Sequence, residues 1–385
     1  MKQRSSFLIF GQPLIEQAEI DEVVDSLKNA WLGTGPKVAR FENDFAAYKG
    51  TKAAVAVNSC TAALHLSILA AGLKPGDEVI TTAMTFCATV NAVIHAGATP
   101  VLADIDPRTL CLDPADVERR ITPRTRAISV VHFAGHPCDM DAFTVLAGKH
   151  NLKLIEDCAH AIETEYRGRK AGTFGDFGCF SFYTTKNVCT GEGGMIVARE
   201  ETDVKRLKML ALHGMSHDAW RRFSDAGYKH YSVVECGFKY NMMDLQAAIG
   251  IHQLERVEKW WQRRRELNRR YREAFAALPI GLPDETPADC RHAYHLFPIF
   301  IDEARAGISR DAFLDAMTER KIGVGVHYLS IAEHPFYQET FGWKPHDYPN
   351  ARRIGQQTVS LPLSPRLTDE DVQDVIDAVR GILRR

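Results

Sequence analysis

The chain has 385 residues, 47 of them Lys or Arg and 49 Asp or Glu, giving a formal net charge of −2; 45% of it is hydrophobic. That length suggests about two domains and the apolar share can fill a large core, while the near-neutral charge leaves no basic footprint for nucleic acid. The nine cysteines form no C-x-x-C pair and read as reduced thiols of a cytoplasmic protein. The apolar run Phe7-Leu8-Ile9-Phe10, behind Lys2 and Arg4, stops at Gly11 and Pro13 and is too short for a signal peptide. No stretch approaches the ~20 apolar residues of a membrane span, so a membrane is not an expected partner.

In chain order, strands are expected over 53–57, 78–82, 100–105, 126–133, 152–155, 177–182 and 195–198. Helices are expected over 61–72, 88–97, 114–121 and 140–150, with Asp113 as an N-cap. Such alternation implies a mostly parallel sheet covered on both faces. Beyond Gly237 the texture changes. Residues 244–278 read as one long helix with Leu245, Ala248, Ile249, Leu254, Val257 and Trp261 at its apolar positions, and Arg263-Arg264-Arg265 as its solvated face. A strand at 295–301, a helix at 310–321, a strand near 323–328 and a final helix at 369–383 make a smaller α/β domain.

The chemistry concentrates at strand ends. Asp157 closes an apolar strand in Leu152-Lys153-Leu154-Ile155-Glu156-Asp157, at the edge where open α/β sheets bind ligands. Lys186 follows the strand through Ser181-Phe182-Tyr183, and Glu192-Gly193-Gly194 comes soon after. A lysine and an aspartate placed this way can hold the two working ends of pyridoxal 5′-phosphate: the amine forms a Schiff base with the aldehyde and the carboxylate pairs with the ring nitrogen. Opposite charges about 4 Å apart gain roughly 4 kcal/mol at an effective dielectric of 20, about three pKa units, enough to keep the ring cationic. Partial burial of Lys186 would lower its pKa and sharpen its nucleophilicity. Asn58-Ser59-Cys60-Thr61-Ala62 joins a strand to a helix and can offer backbone N–H groups to a phosphate, or serve as a plain N-cap. Ser181 can add a hydroxyl, and His160 a contact to the ring or its phenolic oxygen; Asp157 as a turn cap and His160 as a surface residue is the bland alternative.

Neither G-x-x-x-x-G-K-[ST], G-x-G-x-x-G nor G-x-S-x-G occurs, so nucleotide-phosphate, dinucleotide and hydrolase chemistries have no local support. The pairs His132/His136 and His292/His295 lack further ligands at metal spacing and read as structural or substrate-contacting, with no metal expected.

Taken together these residues resemble the DegT/DnrJ/EryC1/StrS family of pyridoxal-phosphate sugar aminotransferases. The resemblance runs through Gly33-Thr34-Gly35-Pro36, Ser59-Cys60-Thr61-Ala62-Ala63-Leu64-His65, Pro75-Gly76-Asp77-Glu78, Gly97-Ala98-Thr99-Pro100, Glu156-Asp157-Cys158-Ala159-His160, Lys186-Asn187, Gly191-Glu192-Gly193-Gly194 and Phe238-Lys239-Tyr240-Asn241-Met242. It implies the α/β fold type I of aspartate aminotransferase-like enzymes. A large cofactor-binding domain (1–250, with an N-terminal arm at 1–30) would carry a mixed, mostly parallel seven-stranded sheet, followed by a small C-terminal domain (251–385). It also implies a homodimer with shared active sites.

The resemblance assigns roles too. Lys186 carries the cofactor and moves protons, Asp157 pairs with the pyridine nitrogen, Phe86 stacks on the ring and His160 contacts it near the phenolic oxygen. Cys60, Thr61 and Ser181 hold the phosphate, with Asn241 reaching across from a second subunit. The expected reaction takes an amino group from L-glutamate, through the pyridoxamine phosphate form, to a nucleoside-diphosphate ketosugar. The run Thr190-Gly191-Glu192-Gly193-Gly194 resembles members that aminate carbon 4, pointing to a 4-keto-6-deoxyhexose or a 4-ketopentose. Carbon 3 is the alternative, and a catalytically silent cofactor-binding regulator is the alternative from another class. Thr34, Glu192, His327 and Tyr328 are the expected substrate contacts, and the basic, aromatic segment 220–230 is either a loop over the nucleotide diphosphate or an ordinary exposed loop. Two departures stand out. Cys60 replaces the usual glycine or alanine, leaving only a backbone contact secure, and Glu163 and Glu165 replace residues that are usually small, either reshaping the site or facing solvent.

Overall fold

The computed structural model describes residues 4–215 and 231–383. Its seven principal strands are β1 (Ala54–Val57), β2 (Glu78–Thr82), β3 (Thr99–Ala103), β4 (Thr125–Val131), β5 (Lys153–Asp157), β8 (Phe177–Ser181) and β9 (Gly194–Ala198), with the two-residue strands β6 (Glu165–Tyr166) and β7 (Arg169–Lys170) forming a small hairpin. They form one sheet in the order β1-β9-β8-β5-β4-β2-β3. Pairs from β8 through β5, β4 and β2 to β3 are parallel, and β9 runs antiparallel to both β8 and β1. The expected mixed, mostly parallel sheet is therefore present.

Burial on both faces explains the near-continuous apolar strands. Val55, Val57, Val79, Ala127, Ile155 and Ile196 share a core with apolar residues of the helices α3 (Cys60–Ala70), α4 (Cys87–His95) and α7 (Glu201–Ala211). Their alternates Ala54, Ala56, Phe180, Met195 and Val197 cluster with Phe41 and Phe45 of α2 (Pro36–Lys49) and Ile251 of α8 (Asp244–Glu255). Ile80, Ile128 and Val130 extend that face toward Val117 of α5 (Pro114–Arg120) and Phe143 of α6 (Met140–His150). Helix starts follow local chemistry: the Ser59, Asp113 and Asp139 side chains each accept a first-turn N–H.

The C-terminal part is built on β10 (Phe297–Phe300) paired antiparallel with β11 (Thr358–Leu361). Its core joins Leu267, Tyr271 and Phe275 of α9 (Val257–Phe275) to Phe313 and Met317 of α11 (Arg310–Glu319) and to Val372, Val375 and Val379 of α14 (Asp369–Leu383). Shorter helices, α10 (Glu303–Ala306), α12 (Pro335–Phe341) and α13 (Pro349–Gln357), complete it, and α1 (Gln17–Lys28) precedes α2 at the N-terminal side.

Three expectations are corrected here. The single helix over 244–278 is two, broken at Arg256, whose backbone leaves helical values (φ −102°, ψ 0°). There the guanidinium pairs with Glu16 and Glu19 at the start of α1, a tertiary demand that outweighs continuity. The strand near 323–328 does not form; Gly325 alone bridges to Ser360, and the segment delivers His327 and Tyr328 inward instead. The arginine run is not uniformly solvated, because Arg264 is only 1% exposed. Among the described residues no helix is long and apolar enough to cross a membrane.

Candidate active site

The carboxyl ends of the parallel strands converge on one edge. β1 runs into α3 through Asn58 and Ser59, β5 ends at Asp157, and β8 ends at Ser181 just before Lys186; because β9 is antiparallel, Glu192 and Gly193 arrive at the same edge. They bound a cavity of about 540 Å³. Of the residues expected at the site, Cys60, Thr61, Phe86, Asp157, His160, Ser181, Lys186, Glu192, His327 and Tyr328 line it. Thr34 and Asn241 do not. They bond to each other, Asn241 Nδ2 donating to Thr34 Oγ1 at 2.7 Å, and Thr34 Oγ1 donating to the Met242 carbonyl at 2.5 Å. Segment 220–230 lies outside the described residues.

Asp157 is buried, with Oδ2 accepting from Thr89 Oγ1 at 2.8 Å and Oδ1 from the Ala159 N–H at 3.0 Å. Desolvation raises its pKa above the ordinary carboxylate value, against these hydrogen bonds and the charge of Lys186. Lys186 is pushed down to about 8 by burial, opposed by Cys60 and Asp157. Its amine makes no hydrogen bond or ion pair with any described residue.

His160 accepts the Ala134 N–H at Nδ1 (3.2 Å), which leaves the proton on Nε2, 3.3 Å from the Tyr328 hydroxyl. Burial first, then Lys186, His295 and His327, holds it well below the usual histidine range, so the ring is neutral. Phe86 exposes 58% of its surface at the cavity wall, with the Tyr328 ring tilted beside it at 6.0 Å between centroids.

At the α3 terminus Ser59 Oγ accepts from the Ala62 N–H at 3.1 Å. Gly194 packs so closely on this turn that a Cβ there would sit 2.6 Å from the Ser59 carbonyl carbon and 2.8 Å from the Cys60 nitrogen.

These features fit pyridoxal 5′-phosphate. A buried carboxylate short of a cation suits a pyridinium, and a free amine suits the aldehyde. An open aromatic face suits the ring, and a helix N-terminus kept clear by glycine suits the phosphate.

Sequence reasoning missed Thr89, Thr85, Tyr183 and Phe10, all cavity residues, and left His295 undecided between structural and substrate-contacting. Tyr183 closes the Ser181-Phe182-Tyr183 run but carried no role there, and the hydroxyls of Thr85 and Thr89, 2.8 Å apart, reveal themselves only through the chain they form to Asp157. The histidine pairs divide. His295 lines the cavity, whereas His136 packs edge-on to His292 at 5.7 Å. The His132, Glu156 and Cys158 ligand atoms lie within 4.8 Å of one another. His132 and Glu156 are spent on structure: His132 meets Glu156 at 3.1 Å and the Cys138 N–H at 3.1 Å, and Glu156 also accepts three backbone N–H groups at 2.7 Å.

Fold and cavity together define a pyridoxal-phosphate-dependent transferase of fold type I. The chain belongs to the DegT/DnrJ/EryC1/StrS aminotransferase family, whose model matches residues 13–380; it is a pyridoxal-phosphate-dependent aminotransferase. It is 48% identical, over 100% of its length and 99% of the relative's, to the spore coat polysaccharide biosynthesis protein SpsC of Bacillus subtilis. It superposes on the putative sugar aminotransferase Spr1654 of Streptococcus pneumoniae in its pyridoxamine phosphate form with a TM-score of 0.91, at 31% identity and 98% coverage of each chain. Against S. venezuelae DesV, solved with a ketimine intermediate, the TM-score is 0.87 at 36% identity, covering 95% of this chain and 94% of that one.

Proposed function

We propose that this enzyme transfers the amino group of L-glutamate to carbon 4 of a nucleotide-linked 4-ketosugar, a 4-keto-6-deoxyhexose or 4-ketopentose, for polysaccharide synthesis. The observation that carries the reading is the unpaired Lys186 amine in one cavity with the cation-seeking Asp157 carboxylate. The similarity to SpsC and Spr1654 supports a sugar acceptor, and the Thr190-Gly191-Glu192-Gly193-Gly194 run, whose Glu192 and Gly193 line the cavity, supports carbon 4 through its resemblance to members that aminate there.

Bound pyridoxal phosphate supplies the electron sink for amino-group exchange. The remaining work belongs to the chain. Asp157 holds the proton at the ring nitrogen. Lys186, with a pKa of about 8, takes and returns the substrate proton near neutral pH, where a general base is most effective. The Cys60 and Thr61 N–H groups and the Ser181 hydroxyl receive the phosphate, Phe86 covers the ring, and neutral His160 keeps its Nε2 proton for an oxygen acceptor. Glu192, His327 and Tyr328 meet the sugar nucleotide.

A homodimer with shared sites belongs to the same proposal. Asn241 Oδ1 is buried without a partner among the described residues. The apolar side chains of Ile20, Val24, Leu27, Trp31 and Leu32, around α1, are exposed, as is Met243 beside Asn241. The deciding experiment is a spectral titration with L-glutamate followed by assay on 3-keto and 4-keto sugar nucleotides, the aminated carbon being located by NMR. A spectral response to glutamate and amination at carbon 4 are expected; amination at carbon 3, or silence toward glutamate, overturns the corresponding part.

A further inference from the structure

Glu163 and Arg264 form a buried ion pair directly behind the Lys186 loop. Glu163 is 0% exposed, and its Oε1 pairs with Arg264 Nη2 from α9. Glu165, by contrast, lies in the β6–β7 hairpin, half-buried, beside Lys170 and Arg291. A buried carboxylate paired this way is costly unless its remaining lone pairs are also used. Here Glu163 Oε2 accepts from Asn187 Nδ2 at 2.8 Å, and the same amide nitrogen donates to the Ala293 carbonyl at 3.1 Å.

Two acceptors on the nitrogen fix which way the Asn187 amide faces. Its Oδ1 is thereby turned to His295 Nδ1, at 3.0 Å. A carbonyl oxygen only accepts, so Nδ1 carries the His295 proton and Nε2 is left as a lone pair. The ring lines the cavity, lies stacked on His160 at 4.4 Å, and makes no hydrogen bond through Nε2 among the described residues. Burial, reinforced by Lys186 and His327, keeps it neutral.

We infer that Glu163, acting through Asn187, is a positioning residue that fixes His295 as the Nδ1-protonated tautomer, so that Nε2 presents a hydrogen-bond acceptor in the wall that carries Lys186. This rests on the transaminase reading of the cavity, but its structural half does not require turnover.

The test is Glu163→Gln. Glutamine offers one oxygen where Arg264 and Asn187 both donate, and the charged guanidinium takes it. The glutamine NH₂ then meets the Asn187 NH₂, the Asn187 amide turns over or lets go, and His295 shifts its proton to Nε2. Nitrogen NMR of the cofactor-free, ¹⁵N-histidine-labelled protein, with His295 assigned by its loss in His295→Gln, reads this directly. The expected result is an Nδ1–H pattern in the wild type and an Nε2–H pattern in E163Q, with kcat lowered about tenfold or more and KM for glutamate within about twofold.

The double variant Glu163→Gln/Arg264→Met frees the glutamine oxygen for Asn187, and replacing a buried ion pair by neutral groups of similar size is tolerated. It restores the Nδ1–H pattern and most of kcat, which a merely structural role would not predict. An unchanged His295 pattern in E163Q, or a double variant no better than E163Q, overturns the inference. A wild type that shows the Nδ1–H pattern yet never transaminates overturns the proposed function instead.

Discussion

Thr89 donates its hydroxyl to Asp157, Oγ1 to Oδ2, at 2.8 Å, and itself meets the Thr85 hydroxyl at 2.8 Å. The bond stabilises the charged carboxylate against a burial that pushes its pKa up. Thr89→Val removes the donor while keeping the branched shape. A hydrogen bond to a charged group contributes about 1.5–3 kcal/mol, so kcat/KM is expected to fall about 10- to 100-fold with the fold intact by circular dichroism. Wild-type kinetics in T89V would show that Asp157 needs no such support.

The depressed pKa of Lys186 has a kinetic signature in the cofactor-free protein. Only the neutral amine captures an aldehyde. The rate of pyridoxal phosphate uptake, followed by visible absorbance, should therefore climb with pH and level off once it passes about 8. An ordinary lysine would keep accelerating to about 10.4. The sign follows from burial disfavouring the ammonium, which shifts deprotonation to lower pH. A rate still rising steeply above pH 9 would contradict a desolvated amine.

Lys186, Asp157 and the Ser59–Thr61 turn were legible in the sequence because each sits where a strand ends, and strand ends in a parallel sheet share one edge. Arg264 was not. An arginine in a run of three on a helix looks solvated, and only the tertiary fold brings Glu163 to it, across the gap between the β5 loop and α9. The break at Arg256 was hidden for the same reason, since helical periodicity continues through it while Glu16 and Glu19 lie far away in sequence. Conversely, α2 carried signals that were passed over: Pro36 at its first turn and Gly50 in the left-handed conformation at its end (φ 70°). Short-range chemistry was readable, and buried charge pairing was not.

Gly194 begins β9 against the turn that opens α3, and its constraint is space rather than backbone conformation. Gly194→Ala would place a methyl 2.6–2.8 Å from the Ser59 carbonyl and the Cys60 nitrogen. No side-chain rotamer relieves a clash with backbone, so the strand and the phosphate-receiving N–H groups must separate. Pyridoxal phosphate is expected to bind about tenfold more weakly, since a displaced charge-assisted hydrogen bond contributes about 1.5–3 kcal/mol. Equilibrium dialysis measures this, and retention of wild-type affinity would mean that the phosphate does not rest on this turn.

Asn241 supplies the sharpest test of shared sites. In a single chain it is tied to Thr34 and lies off the cavity, with a buried Oδ1 that no described residue satisfies. If it serves the cavity of a second copy, Asn241→Ala and Lys186→Ala should each be nearly inactive as homodimers. Unfolding and refolding the two together produces mixed dimers in which one site has lost both residues and the other has kept both. Random pairing in a two-fold dimer then restores about a quarter of wild-type activity. Recovery tracks dimer exchange in time, which native mass spectrometry follows in the same samples. If Asn241 acted only within its own chain, N241A would still lack it at its one intact lysine, and mixing would restore nothing.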